Sequence, residues 1–216
     1  MTAVPANPKI YHITHVDNLA SIAASGQLVS DAIRIAQSVS CSVVGMSEIK
    51  RRRLEEIEVS TCSGTKVGQY VPFYFCPRSV MLYILYKANN PELTYRGGQQ
   101  PIVHLEASFD AAVVWADAQP VPWAFTDGNA GAYVTQFYGR RAELDQVNWA
   151  AVTSTNFSDP RIKEGKQAEF LTFGTFPWTL VEKIGTFDNS IADKVRAAIA
   201  GNPHQPVIQV ERSWYF

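Results

Sequence analysis

Four short segments of this 216-residue chain carry side chains whose types and spacing could do chemistry. Tyr11-His12-Ile13-Thr14-His15 reads as a strand that ends in polar groups just before a helix, an arrangement that can grip a ligand, although both histidines could instead satisfy local backbone groups. Four histidines in all, with no third ligand at a suitable spacing, make H-x-x-H a weak metal signal, and no metal is expected. In Ile49-Lys50-Arg51-Arg52-Arg53 the helical turn of about 100° per residue separates the charges. Arg53 falls between Ile49 and Ile57 and near Met46, while Arg51 points to the opposite side. A charge run is usually a solvated face. A guanidinium on the apolar side must instead find a buried partner or reach into a cleft, because desolvating it alone is costly, and the cleft is the reading adopted here.

The third segment, Tyr70 to Ser79, leads through the Cys76-Pro77 turn into a helix start, where Arg78 beside unpaired N–H groups suits a phosphate. Its aromatic residues belong more often to a core than to a stacking platform. The fourth, Lys166-Gln167-Ala168-Glu169-Phe170-Leu171, brings a carboxylate into an apolar strand after the polar stretch Thr153 to Gly165. Facing a cleft, Glu169 could stabilise positive charge developing in a transition state. On an edge strand it would be an ordinary solvated glutamate.

The elements that must position these groups alternate in type. A strand is expected over Ile10 to Thr14, followed by a helix capped at Asp17, carrying Leu19, Ile22 and Ala23 and stopped by Gly26. A second helix is expected over Met46 to Glu58, a strand over Val71 to Phe75, and a helix from Ser79 as N-cap through Lys87. Further strands are expected at Ile102 to Ala107, Ala111 to Trp115, Glu169 to Phe173, Val181 to Thr186 and Val207 to Arg212, with helices around Arg141 to Val152 and Ser190 to Ala200. Short strands without regular crossover helices argue for an α+β fold with a mixed or antiparallel sheet, not a doubly wound one. No G-x-G-x-x-G follows a strand, so any dinucleotide would be held by another scaffold.

Composition bounds the rest. With 46% hydrophobic and 12% aromatic residues, the chain can bury one substantial core, and one domain over 1–216 is expected. Lys+Arg 19 against Asp+Glu 20 gives a net charge of −1, which argues against a protein that coats polyanions and leaves room for local nucleic-acid contacts only. Three cysteines share no disulfide or zinc spacing, which fits a reducing compartment. The longest apolar-aromatic run, Val80 to Tyr86, is far too short for a membrane span. A monomeric, cytoplasmic protein without membrane contact is expected.

Together these segments resemble the DarT family of DNA ADP-ribosyltransferase toxins. The resemblance lies in YHITHVDNL (Tyr11 to Leu19), the IKRRR helix, YVPFYFCPRSVMLY (Tyr70 to Tyr83), GGQQPIVHL (Gly97 to Leu105) and KQAEFL, in the family's order. The closing Arg212-Ser213-Trp214-Tyr215-Phe216 is similar to the family's C-terminal end. The resemblance implies a compact ADP-ribosyltransferase-like fold and, without metal, transfer of ADP-ribose from NAD⁺ to a base of single-stranded DNA, reversed by a macrodomain antitoxin, DarG. Thymine is the implied acceptor, with guanine as the alternative within the class and a non-catalytic single-stranded DNA binding module as the alternative outside it. NAD⁺ contacts are implied for His12, Ile13, Thr14, Ser21, Val29 and Arg53. Glu169 and Arg53 fall on the catalytic positions; the run of three arginines leaves Arg52 as another alignment, and helix phase favours Arg53. The stretch from about Asp127 to Glu169 would read the substrate, and Val29 to Met46 departs most from the family. Arg78, Lys163 and Lys166 are expected to contact DNA phosphates.

Overall fold

The computed structural model describes residues 3–216. Among them run ten strands: β1 (Lys9–His15), β2 (Gln27–Val29), β3 (Tyr70–Tyr74), β4 (Ile102–Ser108), β5 (Trp123–Asn129), β6 (Phe137–Tyr138), β7 (Ala168–Phe173), β8 (Thr175–Pro177), β9 (Val181–Thr186) and β10 (Val207–Val210). The helices are α1 (Leu19–Ser25), α2 (Asp31–Ala36), α3 (Ser47–Glu55), α4 (Val80–Lys87), α5 (Phe109–Ala118), α6 (Trp149–Thr153), α7 (Pro160–Gly165) and α8 (Asn189–Ala198). Eight strands form one sheet in the order β10-β9-β4-β1-β3-β7-β5-β6, antiparallel throughout except for β10 beside β9. The remaining two, β2 and β8, pair antiparallel with each other. The fold is thus α+β, with a mostly antiparallel sheet flanked by helices.

Local chemistry explains the boundaries. Ser79 caps α4 through its hydroxyl, which accepts from the Leu82 N–H at 3.2 Å, and Gly26 closes α1 in the left-handed region at φ 70°. The core joins Ile10, Phe73, Phe75, Phe109, Phe125, Phe170 and Phe176, all buried, so Phe73 and Phe75 of the third segment are packing residues.

Several expected elements are corrected. Ala111 to Trp115 is not a strand but lies inside α5. Ser108 caps that helix, and Phe109, Ala112, Val113 and Ala116 bury a helical i, i+3, i+4, i+7 face. The helix expected to Glu58 ends at Glu55, because Glu58 bridges Lys66 instead. Over Arg141 to Val152 there is a 3-10 turn, Arg141–Gln146, before the short α6, and the last strand stops at Val210. The stretch 153–165 contains α7, started by Asp159 as N-cap with Pro160 in its first turn. No helix among the described residues is long and apolar enough to cross a membrane.

Candidate active site

The site begins where β1 and β3 stop pairing. β1 pairs with β4 along its whole length but with β3 only at Tyr11↔Tyr74. Beyond that bridge lies a cleft of about 250 Å³. Its wall is built by His12, Ile13 and Thr14 of β1, Ser21 of α1, Val29 at the end of β2 and Arg53 of α3, so all six residues expected at the dinucleotide share one cavity.

His12 donates from Nδ1 to the Pro72 carbonyl at 2.8 Å, since a carbonyl can only accept, which leaves Nε2 as an acceptor. Burial holds its pKa below the ordinary value against that hydrogen bond, so the ring is neutral. His15 spends its Nδ1 on the Asp17 N–H at 3.2 Å and caps the following turn, the structural role allowed for it in the sequence.

At one end of the cleft Arg53 meets Glu169 in a two-pronged pair. Nη1 donates to Oε1 at 3.1 Å and Nη2 to Oε2 at 2.8 Å. Glu169 is 2% exposed and the Arg53 side chain 14%. The carboxylate is not on an edge, because β7 runs between β3 and β5. Its Oε1 also accepts from the Ala130 N–H at 3.1 Å, and its own N–H is held by the Thr126 hydroxyl at 3.0 Å. Burial opposes the Arg53 charge, but attraction to Glu169 and the hydrogen bonds between them outweigh it and raise the pKa, so the guanidinium stays protonated. Tyr74, opposite Glu169 in the ladder, has its hydroxyl pushed up first by burial and then by that carboxylate, and it remains neutral.

Helical phase sorts the neighbouring arginines as expected. Arg51 lies in solvent among Glu48, Glu55 and Glu56, whereas Arg52 donates to the Gly131 carbonyl at 3.1 Å and covers the Tyr133 ring at 4.1 Å. Of the two arginines that alignment alone leaves open, it is Arg53 that reaches Glu169.

Parts of the cleft were not legible in the sequence. Residues 39 and 41–46 line it, and Asn18 fastens that segment: its amide donates to the Ser42 carbonyl at 3.1 Å and accepts from the Ser42 N–H at 2.8 Å. The same amide group donates to the Thr14 hydroxyl at 3.0 Å. Asp31 takes both of its oxygens to Lys50, at 2.8 and 2.7 Å, and accepts from Arg34 at 3.2 Å. Burial alone would raise the Asp31 pKa, but the Lys50 charge overrides it and the net shift is downward. The Ser30 cap that starts α2 was the one local cue to this wall.

The residues expected at DNA divide. Arg78 and Lys166 line a second cleft, and Lys163 stands on α7 outside both. The α4 start beside Arg78 is already capped by buried Ser79, and the guanidinium turns onto Phe216 at 4.3 Å and Phe157 at 5.6 Å. Lys166 requires a correction as an open surface contact: it is 2% exposed, and its ammonium donates to the carbonyls of Val152 at 2.9 Å and Ala151 at 3.3 Å. Among the described residues no cluster of three His, Cys, Asp or Glu side chains could hold a metal ion.

Comparison with known proteins places this geometry. The family model described as "ssDNA thymidine ADP-ribosyltransferase, DarT" matches residues 11–216. A DNA ADP-ribosyl transferase of Thermus aquaticus is 36% identical over 99% of this chain and 91% of its own length. The structure of Thermus sp. 2.9 DarT in complex with ADP-ribosylated ssDNA superposes with a TM-score of 0.89 at 33% identity, covering 100% of this chain and 99% of that one. The same protein in complex with NAD⁺ gives 0.81 at 32% identity, with coverage of 99% and 100%. A DNA ADP-ribosyl transferase-DNA ADP-ribosyl glycohydrolase fusion protein of Thermosipho africanus is 27% identical over 94% of this chain, which spans 48% of the fusion.

Proposed function

The chain belongs to the DarT family of single-stranded-DNA thymidine ADP-ribosyltransferases, and on that basis we propose that it transfers ADP-ribose from NAD⁺ to thymine in single-stranded DNA. The observation that carries the reading is the Arg53–Glu169 pair, set into the wall beside the β1–β3 cleft. A module that only held DNA would have no use for a carboxylate lodged in the sheet at that point.

In this reading His12, Ile13, Thr14, Ser21 and Val29 hold NAD⁺, and the segment around Ser42 covers it. Neutral His12 offers Nε2 to a hydroxyl. Glu169 accepts from a hydroxyl of the nicotinamide ribose and stabilises the positive charge that grows at C1′ as the bond to nicotinamide breaks. The thymine ring nitrogen then bonds to C1′ and gives up its proton to solvent. Arg53, permanently protonated, stabilises the anion developing on the base rather than taking the proton itself. As the substrates enter, the two-pronged pair opens so that each partner faces its own reactant.

Residues 1–216 act here as one ADP-ribosyltransferase domain, a reading supported by the presence of both β1 and β10 in the same sheet. The Thermosipho fusion supports a glycohydrolase of the DarG type as the partner that reverses the modification. Nicotinamide release tests the function: it is expected with NAD⁺ and a thymine-containing oligonucleotide, and not with one lacking thymine. Release with guanine as the sole competent base would shift the acceptor, and no release with any oligonucleotide would remove the activity.

A further inference from the structure

A second cleft, of about 430 Å³, is walled in part by Lys9, Tyr11, Arg78 and Lys166. Tyr11 stands opposite Tyr74 in the sheet, and Tyr74 stands opposite Glu169. Residues directly opposite share a face, so the row Tyr11-Tyr74-Glu169 carries this cleft to the same side of the sheet as the Arg53–Glu169 pair. With neighbouring strands about 4.8 Å apart, Tyr11 lies roughly 10 Å from Glu169.

The charges here are unbalanced. No aspartate or glutamate lines the cleft, although the chain as a whole carries a net −1. Lys9 is engaged with Glu182 at 2.6 Å, but among the described residues neither Arg78 nor Lys166 has a carboxylate partner. The Arg78 Nε is buried and bonds to nothing. Lys166 is nearly inaccessible and is met by carbonyl dipoles, by the Phe157 ring at 5.1 Å and by the Cys76 sulfur at 3.9 Å, a thiol that burial pushes up to about 11 and so keeps neutral. A buried cation without a counter-charge is costly. Contact with the Phe216 and Phe157 rings accounts for the position of the Arg78 guanidinium but not for its idle donors. Asn7, Ser154, Thr155 and Ser213 add uncharged polar groups to the wall.

We propose that this cleft is a phosphate subsite for the DNA strand. It takes one backbone phosphate flanking the target nucleotide, with Arg78 as the direct donor and the Lys166 charge behind it. The assignment rests on the activity proposed above and extends it to the path of the substrate. Free phosphate offers the same chemistry, but the row leading to Glu169 favours a strand already held there.

Fluorescence anisotropy with a thymine-containing oligonucleotide, in the absence of NAD⁺, tests the subsite. Arg78→Gln is expected to weaken binding about tenfold, the size of one hydrogen bond to a charged group. The plot of log affinity against log salt should become shallower by about 0.7. Arg78→Lys should retain most of the affinity. A scan of oligonucleotides carrying one neutral methylphosphonate should find one position that weakens the unaltered protein by a similar factor and Arg78→Gln no further. That scan does not depend on a variant folding.

Unchanged affinity in Arg78→Gln, or equal sensitivity at every phosphate, overturns the proposal. So does a thermal shift by inorganic phosphate that Arg78→Gln abolishes while DNA affinity stays constant, which would make the cleft a site for free anions. An unaltered protein that binds the strand with the expected single sensitive phosphate but never labels it upholds the subsite and removes the activity.

Discussion

Replacing Glu169 with glutamine removes the negative charge of the central pair while keeping the shape of the side chain. The amide oxygen can still accept from the Ala130 N–H, now at 3.1 Å, or from one Arg53 prong, but the second prong is lost and the guanidinium has no counter-charge. Breaking one side of a buried pair costs about 3–5 kcal/mol. The retained hydrogen bond and the 14% exposure of Arg53 place Glu169→Gln at the low end, near 3 kcal/mol. For a chain of this length that is a fall in Tm of roughly 6–12 °C. Glu169→Ala also leaves the buried Ala130 N–H without its carboxylate acceptor, about 1–3 kcal/mol more. Catalysis should fall further than stability does: loss of a group aimed at transition-state charge lowers the rate about 100- to 1000-fold. Differential scanning calorimetry and mass spectrometry of the oligonucleotide read the two effects separately. A Glu169→Gln protein that melts with the unaltered one, or labels DNA within tenfold of it, would refute the reasoning.

Arg53→Lys keeps the charge and loses the planar fork, and its labelling rate should drop about 100-fold without vanishing; complete loss with NAD⁺ binding intact would assign the fork or a proton transfer a larger role than charge. Asn18→Ala frees the segment at Ser42 and should raise KM for NAD⁺ about tenfold with a smaller effect on kcat, and an unchanged KM would show that the segment needs no fastening. Burial lowers His104 from 6.5 to about 4, so between these values the unfolded chain binds a proton that the folded one does not. Its contribution of about 3 kcal/mol is therefore complete above about pH 6.5 and is lost as the pH falls toward 4. Urea melts should show this slope, and His104→Gln should flatten it; an equal slope in that variant would contradict the assignment.

Where the chain's own periodicity carried the information, the site was legible. Arg53 shares a helix face with Ile49, and about half a turn of phase was enough to separate it from Arg51, which lies in solvent. Ser79 announced its helix because a capping hydroxyl acts within three residues. What escaped depends on distant partners. β5 ends in Thr-Asp-Gly-Asn, residue types that favour turns over strands, yet its place beside β7 is what makes Glu169 interior. The run around Val113 suits a buried strand or a buried helix equally well, and the Ser108 cap decides between them. Lys166 reads as a surface charge because the carbonyls that receive it lie 14 and 15 residues earlier, at the end of a short helix. The covering segment has no period at all, and its anchor is an asparagine 24 residues upstream.

Tandem mass spectrometry of a thymine-containing oligonucleotide after incubation with the unaltered protein and NAD⁺ tests the central claim most directly. A site that joins a cation-stabilising carboxylate to a guanidinium facing the base should leave a single ADP-ribose on a thymine ring. An adduct on a phosphate or sugar, or an oligonucleotide that comes back unmodified while NAD⁺ is bound, would contradict the assignment of this chemistry to Glu169 and Arg53.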